Sequence, residues 1–366
     1  MRCKAGIQLI RHCIRVVAIV AALLGAATFV SNAQPITSIT TYSFSNDGKF
    51  LAFAASSAGV GLYDWRAEKL IKIDRFPIFA TGGKSFLSQL DSLGASPREF
   101  GIFDLGTLLQ TSSFKTDCDN HGIPVFQPGD KAVLMVVADG IANNHLCLQD
   151  IETGRSQIVL PKEQGFFDLH SLNFIHQDEI LFIGRSPKDP EIVAKIKNLG
   201  INPVTATIPY RLKFGGRPEI AFPEILERSR ALLAPLQADG PTEILVSRNG
   251  GKIVYVDRSL SEEARVREAR KHPRQYEGAY RYDLFSIEEG VTRQVTRLEA
   301  FLGYPAVSYD GSIGALGLSV GEMTKEKYFN RRLRSFEPVI VDMGTGAITQ
   351  TNLIARINAD PQFGVK

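Results

Sequence analysis

The chain has little of what builds a metal centre or a disulfide scaffold: four cysteines and six histidines in 366 residues. It has no Cys-x-x-Cys and no His-Glu-x-x-His, the spacings that bring two ligands onto one turn or one helix face. The five histidines beyond the N-terminal segment (His121, His145, His170, His176, His272) are too dispersed to form a triad or a histidine-rich centre by proximity. No cofactor and no metal is therefore expected. An active site built from single residues of distant segments leaves no such spacing, so these absences weigh only lightly against catalysis.

Residues 1–33 lack acidic groups altogether. Arg2, Lys4, Arg11 and Arg15 precede an apolar run of 15 residues, Val16 to Val30, and Ser31-Asn32-Ala33 follows with small residues ahead of Gln34. This is the pattern of a signal peptide cut after Ala33. The rival is a retained anchor, but the run falls short of the roughly 20 residues that span a bilayer. No cysteine follows the apolar run and no arginine pair precedes it, which argues against a lipoprotein cut or a twin-arginine signal. The expected protein is periplasmic, with residues 34–366 as one domain and no stable membrane span.

The whole chain carries +3, yet the signal holds four of its 42 basic residues and none of its 39 acidic ones, which leaves −1 on the mature chain. Nucleic-acid binding has no support in that balance. Cys3 and Cys13 leave with the signal. Cys118 and Cys147 remain, and an exported chain could join them in one disulfide or bury them as two thiols.

What the chain does have is a repeat. Residues 43–53 read SFSNDGKFLAF, and GVGLYDW and KLIKI follow. The same order of turn, apolar strand, Asp-ended strand and polar strand returns from FATGGKSFLSQL, VFQPGDKAVLMVVAD, LNFIHQDEILFIG, ILVSRNGGKIVYVD and AVSYDGSIGALGLS. Asp47-Gly48, Gly82-Gly83, Gly129-Asp130, Gly250-Gly251 and Asp310-Gly311 supply the positive φ of a tight hairpin. The fourth copy has Gln177-Asp178 in that place. The strand expected to end in Asp carries Asp64, Asp104, Asp150, Asp283 or Asp342. Four antiparallel strands repeated radially make a β-propeller blade. The expected fold is all-β, a six-bladed β-propeller over roughly residues 37–351, with the first strand near 36–42 pairing into the sheet that ends at 347–351.

FSNDGKFLAF followed by GLYDW, and ILVSRNGGKIVYV, resemble the TolB-like, WD40-like propeller repeats of bacterial periplasmic proteins, in which F-S-P-D-G-K-x-L-A-F leads to I-x-x-x-D-x-x-T-G. Asn46 stands here for the usual proline. The resemblance implies a propeller fold over nearly the whole mature chain and says little about function. Since the first repeat begins close behind the predicted cut, it implies a stand-alone propeller without the N-terminal α/β domain of TolB.

Blades 4, 5 and 6 are swollen between their second and third strands, and short helical insertions are expected there. Asp189, Pro190 and Gly200 read as cap, first turn and stop. Ser259 with Glu262 forms a capping box ahead of the stop at Pro273. Residues 185–220, 258–282 and 321–337 carry +4, +3 and +2, and such connections leave one face of a propeller. Arg267, Arg270, Lys271 and Arg274 with Lys325, Lys327, Arg331, Arg332 and Arg334 are the expected partner-binding residues, for a protein or an anionic envelope component. Solvated basic helices are the competing explanation.

Two apparent motifs fail on spacing. Thr81-Gly82-Gly83-Lys84-Ser85 would need glycine at position 78 to complete a phosphate loop, and Ile78 stands there. Asp117 to Gly122 begins like a calcium loop, but its twelfth position is Pro128. The function expected is a binding scaffold presenting one face to a partner. The alternative is a propeller hydrolase or lyase acting on a sugar or lactone, by analogy of fold alone.

Overall fold

The structure, a computed structural model, describes residues 39–55, 59–91, 97–116, 118, 124–138, 144–204, 206–223, 226, 243–247, 249–259, 282–300, 302–320 and 335–363. They form six four-stranded antiparallel sheets, each built from four consecutive strands. Blade 1 comprises β1 (Ile39–Phe44), β2 (Phe50–Ala55), β3 (Gly59–Asp64) and β4 (Lys69–Ile73). Blade 2 has β5 (Ile78–Phe79), β6 (Ser85–Gln89), β7 (Arg98–Asp104) and β8 (Gln110–Thr116); blade 3 has β9 (Val125–Phe126), β10 (Ala132–Ala138), β11 (Asn144–Asp150) and β12 (Ser156–Leu160). Blade 4 has β13 (Asp168–His176), β14 (Glu179–Arg185), β15 (Ile208–Lys213) and β16 (Glu219–Ile220). Blade 5 has β17 (Glu243–Val246), β18 (Ile253–Arg258), β19 (Tyr282–Glu288) and β20 (Val291–Gln294); blade 6 has β21 (Leu302–Val307), β22 (Ile313–Ser319), β23 (Phe336–Asp342) and β24 (Ile348–Gln350). The first strands touch in order, β1 to β5 to β9 to β13 to β17 to β21 and back to β1, so the blades close into a ring around a channel.

The repeated residues act locally. Ser45 Oγ donates to Asp47 Oδ1 (2.6 Å) and accepts from the Phe50 amide (2.9 Å), while Gly48 takes φ 63°. Ser247 with Asn249 and Ser308 with Asp310 repeat this turn. At the far end of three blades the carboxylates of Asp104, Asp150 and Asp342 accept from the amide and hydroxyl of Thr107, Thr153 and Thr345. Those bonds hold all three carboxyls below the usual range. Asp283 is a correction. It lies near the start of β19, fully buried, and accepts from Thr296 Oγ1 (3.0 Å) and the Leu298 amide (2.6 Å).

Turns of neighbouring blades also bind one another. The carboxylate of Asp130 accepts from the Thr81 amide, the Thr81 hydroxyl (2.5 Å) and the Gly82 amide (2.5 Å). The amides that resembled a phosphate loop thus hold a side chain of the next blade. Asn46 donates to the Thr81 carbonyl, and Gln127 donates to that of Gln177 (2.7 Å).

Closure differs from expectation. β1 pairs with β2 along Ile39↔Ala55 to Phe44↔Leu51 and adds no strand to blade 6. A C-terminal helix, Leu353–Ala359, fills the seam instead. Glu337 accepts from the Leu353 and Ile354 amides (2.5 and 3.1 Å) at its start, and Arg356 pairs with Glu68 of blade 1 at 2.9 Å. Leu353, Ile357 and Phe363 join one core with Phe53 and Tyr63 of blade 1 and Ile340 of blade 6. The helix follows β24 directly and secures the ends by apolar packing.

Cys118 and Cys147 form a disulfide with Cα atoms 6.3 Å apart, within the usual span. Cys147 lies on β11, so the bond fastens the end of blade 2 to blade 3.

Of the three insertions, that of blade 4 forms a helix, Pro190–Asn198. Asp189 accepts from the Glu191 amide (2.8 Å), and Ile192 and Ile196 enter the core. The central parts of the other two lie outside the described residues. Their flanks, Ser259 with Tyr282 and Val320 with Ser335, leave and re-enter the same ends of second and third strands.

Candidate functional site: a polar bulge on the channel wall

A chamber of about 470 Å³ opens on the channel, bounded by the first strands of blades 1 to 5. Most of its wall is apolar, with Phe76, Ile78, Val125 and Leu245 half-buried there. Its polar part comes mainly from one stretch of β13, Asp168 to Asn173, with Ser43 and Thr81 from blades 1 and 2.

That stretch reads Asp-Leu-His-Ser-Leu-Asn-Phe, and its alternation breaks at His170-Ser171. In the sheet, His170 pairs with Ile183 and Asn173 with Leu181, so Ser171 and Leu172 together face Phe182. The extra residue is a β-bulge. Ser171 takes φ 53°, a left-handed conformation that costs a non-glycine residue about 1–3 kcal/mol. The bulge resets the alternation. Leu169, Leu172 and Phe174 all enter the core between blades 3 and 4, while Asn173 reaches the Ile244 carbonyl of blade 5 (3.4 Å). An unbroken strand would put Leu172 and Phe174 on the side of Asp168 and His170.

His170 Nδ1 lies 3.0 Å from Ser171 Oγ. Burial lowers the imidazole pKa, the Asp168 charge raises it, and the Arg185 charge lowers it again. Arg185 pairs with Asp168 at 3.2 Å and lies 5.3 Å from the Phe167 ring centre. The β13 part of the wall thus holds the Asp168 carboxylate, which is paired with Arg185 beside the chamber, an imidazole, a hydroxyl and an amide.

None of these five residues was singled out from the sequence. The adjacent polar pair His170-Ser171 inside an apolar alternation was the available signal. The expected partner-binding residues Arg267, Arg270, Lys271, Arg274, Lys325, Lys327, Arg331, Arg332 and Arg334 all lie outside the described residues, as do Asp117 and Asp119 to Gly122 of the calcium-like loop. Among the described residues no three His, Cys, Asp or Glu side chains are grouped to hold a metal ion. One further pattern, Gly317-Leu318-Ser319-Val320-Gly321, has the spacing of a nucleophile elbow. Gly317 and Ser319 lie on β22, a second strand paired on both sides, and residues 321–334 lie outside the described residues. Gly317 answers a packing need, since a Cβ there would stand 2.6 Å from Tyr42 Oη across the blade 6 to blade 1 seam.

Six radial four-stranded sheets around one channel define the class, a six-bladed β-propeller. Its fold is similar to that of TolB from Acinetobacter baumannii, 13% identical over 85% of this chain and 62% of that one, with a TM-score of 0.48. The chain therefore spans less than two thirds of that protein. It is likewise similar to an oligogalacturonate lyase in complex with manganese (13% identity, 86% of this chain and 78% of that one, TM-score 0.48). A third is the β-propeller domain of the Trilobed protease from Pyrococcus furiosus, described as having an open velcro topology (13%, 86% and 83%, TM-score 0.48). No family model and no curated protein matches the chain.

Proposed function

We propose that this chain is a periplasmic binding scaffold, exported by residues 1–33, that receives a partner at the channel face where the blade 4 helix emerges. The observation that carries the reading is the chamber. Its wall is largely apolar, and its one carboxylate, Asp168, is paired with Arg185, which suits recognition better than bond cleavage. Exposed Phe167, Val204 and Val320 lie toward the same face. The basic residues of the blade 5 and 6 insertions would add an attractive field for an anionic protein or envelope component. After capture from envelope extracts, the association rate of the bound partner should fall with salt, and Arg267→Glu with Arg332→Glu should slow it. An unchanged rate with an intact fold would remove those residues from the interface. Mass analysis should find Gln34 at the mature N-terminus, and an intact Met1 would refute cleavage.

The second reading, a hydrolase or lyase acting on a sugar or lactone, draws on the strained Ser171 with His170 beside it. Lactone turnover abolished by His170→Gln would favour it.

A further inference from the structure

We infer that the chamber is a binding site for a neutral, hydroxyl-rich ligand of the saccharide class. The inference rests on the binding reading above and names the chemistry of what is bound.

The bulge is the first ground. Ser171 is the one positive-φ residue other than glycine that lies inside a strand among the described residues. The others sit in turns, loops or caps, where such φ values ease a change of direction. Here the chain does not turn. What the strain achieves is to keep Leu172 and Phe174 packed in the core between blades 3 and 4 while Asp168, His170, Ser171 and Asn173 bring polar groups to the same cavity wall. A strand serving packing alone would need neither the extra residue nor the polar side chains.

The second ground is charge. Asp168 is neutralised by Arg185, and burial keeps the His170 imidazole uncharged at neutral pH. A ligand with net charge would find no unpaired counter-ion among the described residues of the wall and would lose hydration on entry. A neutral ligand rich in hydroxyls meets a carboxylate, an imidazole, an amide and the hydroxyls of Ser43, Thr81 and Ser171, which together both donate and accept.

The third ground is shape. Phe76 offers a half-buried ring on the chamber wall beside Ile78 and Val125, so a ring-shaped ligand can place its C–H face on apolar surface and its hydroxyls toward β13. A volume of about 470 Å³ falls in the range of about 300–1,000 Å³ typical of small-ligand sites.

The test is calorimetric titration of the mature chain with glucose, N-acetylglucosamine and maltose, with glucuronate and glucosamine as charged counterparts. At least one neutral sugar should bind and raise the melting temperature. Asn173→Ala should weaken it roughly tenfold, as expected when a hydrogen bond in a shielded site is lost. Phe76→Leu provides an independent check that keeps the wall apolar and removes the ring. The charged counterparts should bind roughly tenfold more weakly or worse. Failure of all three neutral sugars, or equal binding of glucuronate, overturns the inference. Partner capture run in parallel separates this from the scaffold reading. If no sugar binds but Asn173→Ala loses the captured partner, the chamber reads a partner directly and only the saccharide assignment falls. If sugar binds and capture ignores both variants, the saccharide assignment stands and the partner does not use the chamber.

Discussion

The ring of Phe363 lies 5.8 Å from that of Phe53, centre to centre, at an interplanar angle of 34°. One residue ends the described chain and the other lies on the second strand of the first blade, so this contact spans the seam that closes the propeller. Gly61 makes room for it, since a Cβ there would stand 2.5 Å from Phe53 and 2.8 Å from Phe363. Lys72 Nζ covers the Phe363 ring at 5.7 Å and donates to the Gln362 carbonyl at 2.7 Å.

Phe363→Ala should therefore destabilise the whole ring. The side chain is buried, and truncating such a residue costs about 3–5 kcal/mol. Truncation after Thr351 should cost more, because Leu353 and Ile357 leave the same core. Chemical denaturation of both variants gives the answer, and unchanged midpoints would mean that contact between β1 and β21 holds the seam unaided.

Tyr210→Phe should stabilise the protein. The Tyr210 ring is fully buried against Phe166 (4.7 Å) and Phe182 (5.5 Å), but its hydroxyl has no hydrogen-bond partner among the described residues. Burial pushes the phenol pKa far up. Removing an unsatisfied buried hydroxyl should recover about 1 kcal/mol or somewhat more. A fall in melting temperature would show that the hydroxyl is bonded in solution, by water or otherwise.

Reducing Cys118–Cys147 should weaken the junction of blades 2 and 3. The bond closes a loop with a sequence separation of 29, and a constraint of that size on the unfolded chain contributes about 3.6 kcal/mol. Thiol titration of the native mature protein should find no free cysteine. Detection of two would place both thiols apart in the core.

Stability should fall as pH drops through the range near 6.5, the ordinary pKa of histidine. The folded His170 has a lowered pKa, so the unfolded chain binds the proton more readily in that range. Protonation then favours unfolding. His170→Gln should flatten this part of the profile. A wild-type curve that is already flat there would mean that the imidazole titrates normally in its bulge.

Much of the architecture was legible along the chain because its causes are local. A glycine-bearing turn, an apolar strand and an Asp-x-x-Thr-Gly turn act within one blade, and Ser45 with Asp47 or Asp150 with Thr153 makes its bonds among near neighbours. The blade 4 helix was legible for the same reason, since Asp189 caps it over a few residues. Asp283 misled because its sequence context resembles a strand end, while its actual partners lie on the following strand and beyond.

The candidate site was largely illegible. Its walls come from five blades, and the event that sets it apart is a shift in strand pairing at Ser171. A polar pair in an apolar run marks where alternation breaks, but not toward which side each residue turns.

By itself, then, the amino-acid order determined the number of blades, the position of their turns and the face from which the insertions leave. These follow from hydrogen bonds and periodicities a few residues long. Only the tertiary structure decided how the ring closes and which side chains meet in the channel. Phe53 and Phe363 lie near opposite ends of the chain, and Asp168 to Asn173 face residues from four other blades. No local propensity encodes such meetings; they arise when the sheets pack against one another and exclude water from the surfaces between them.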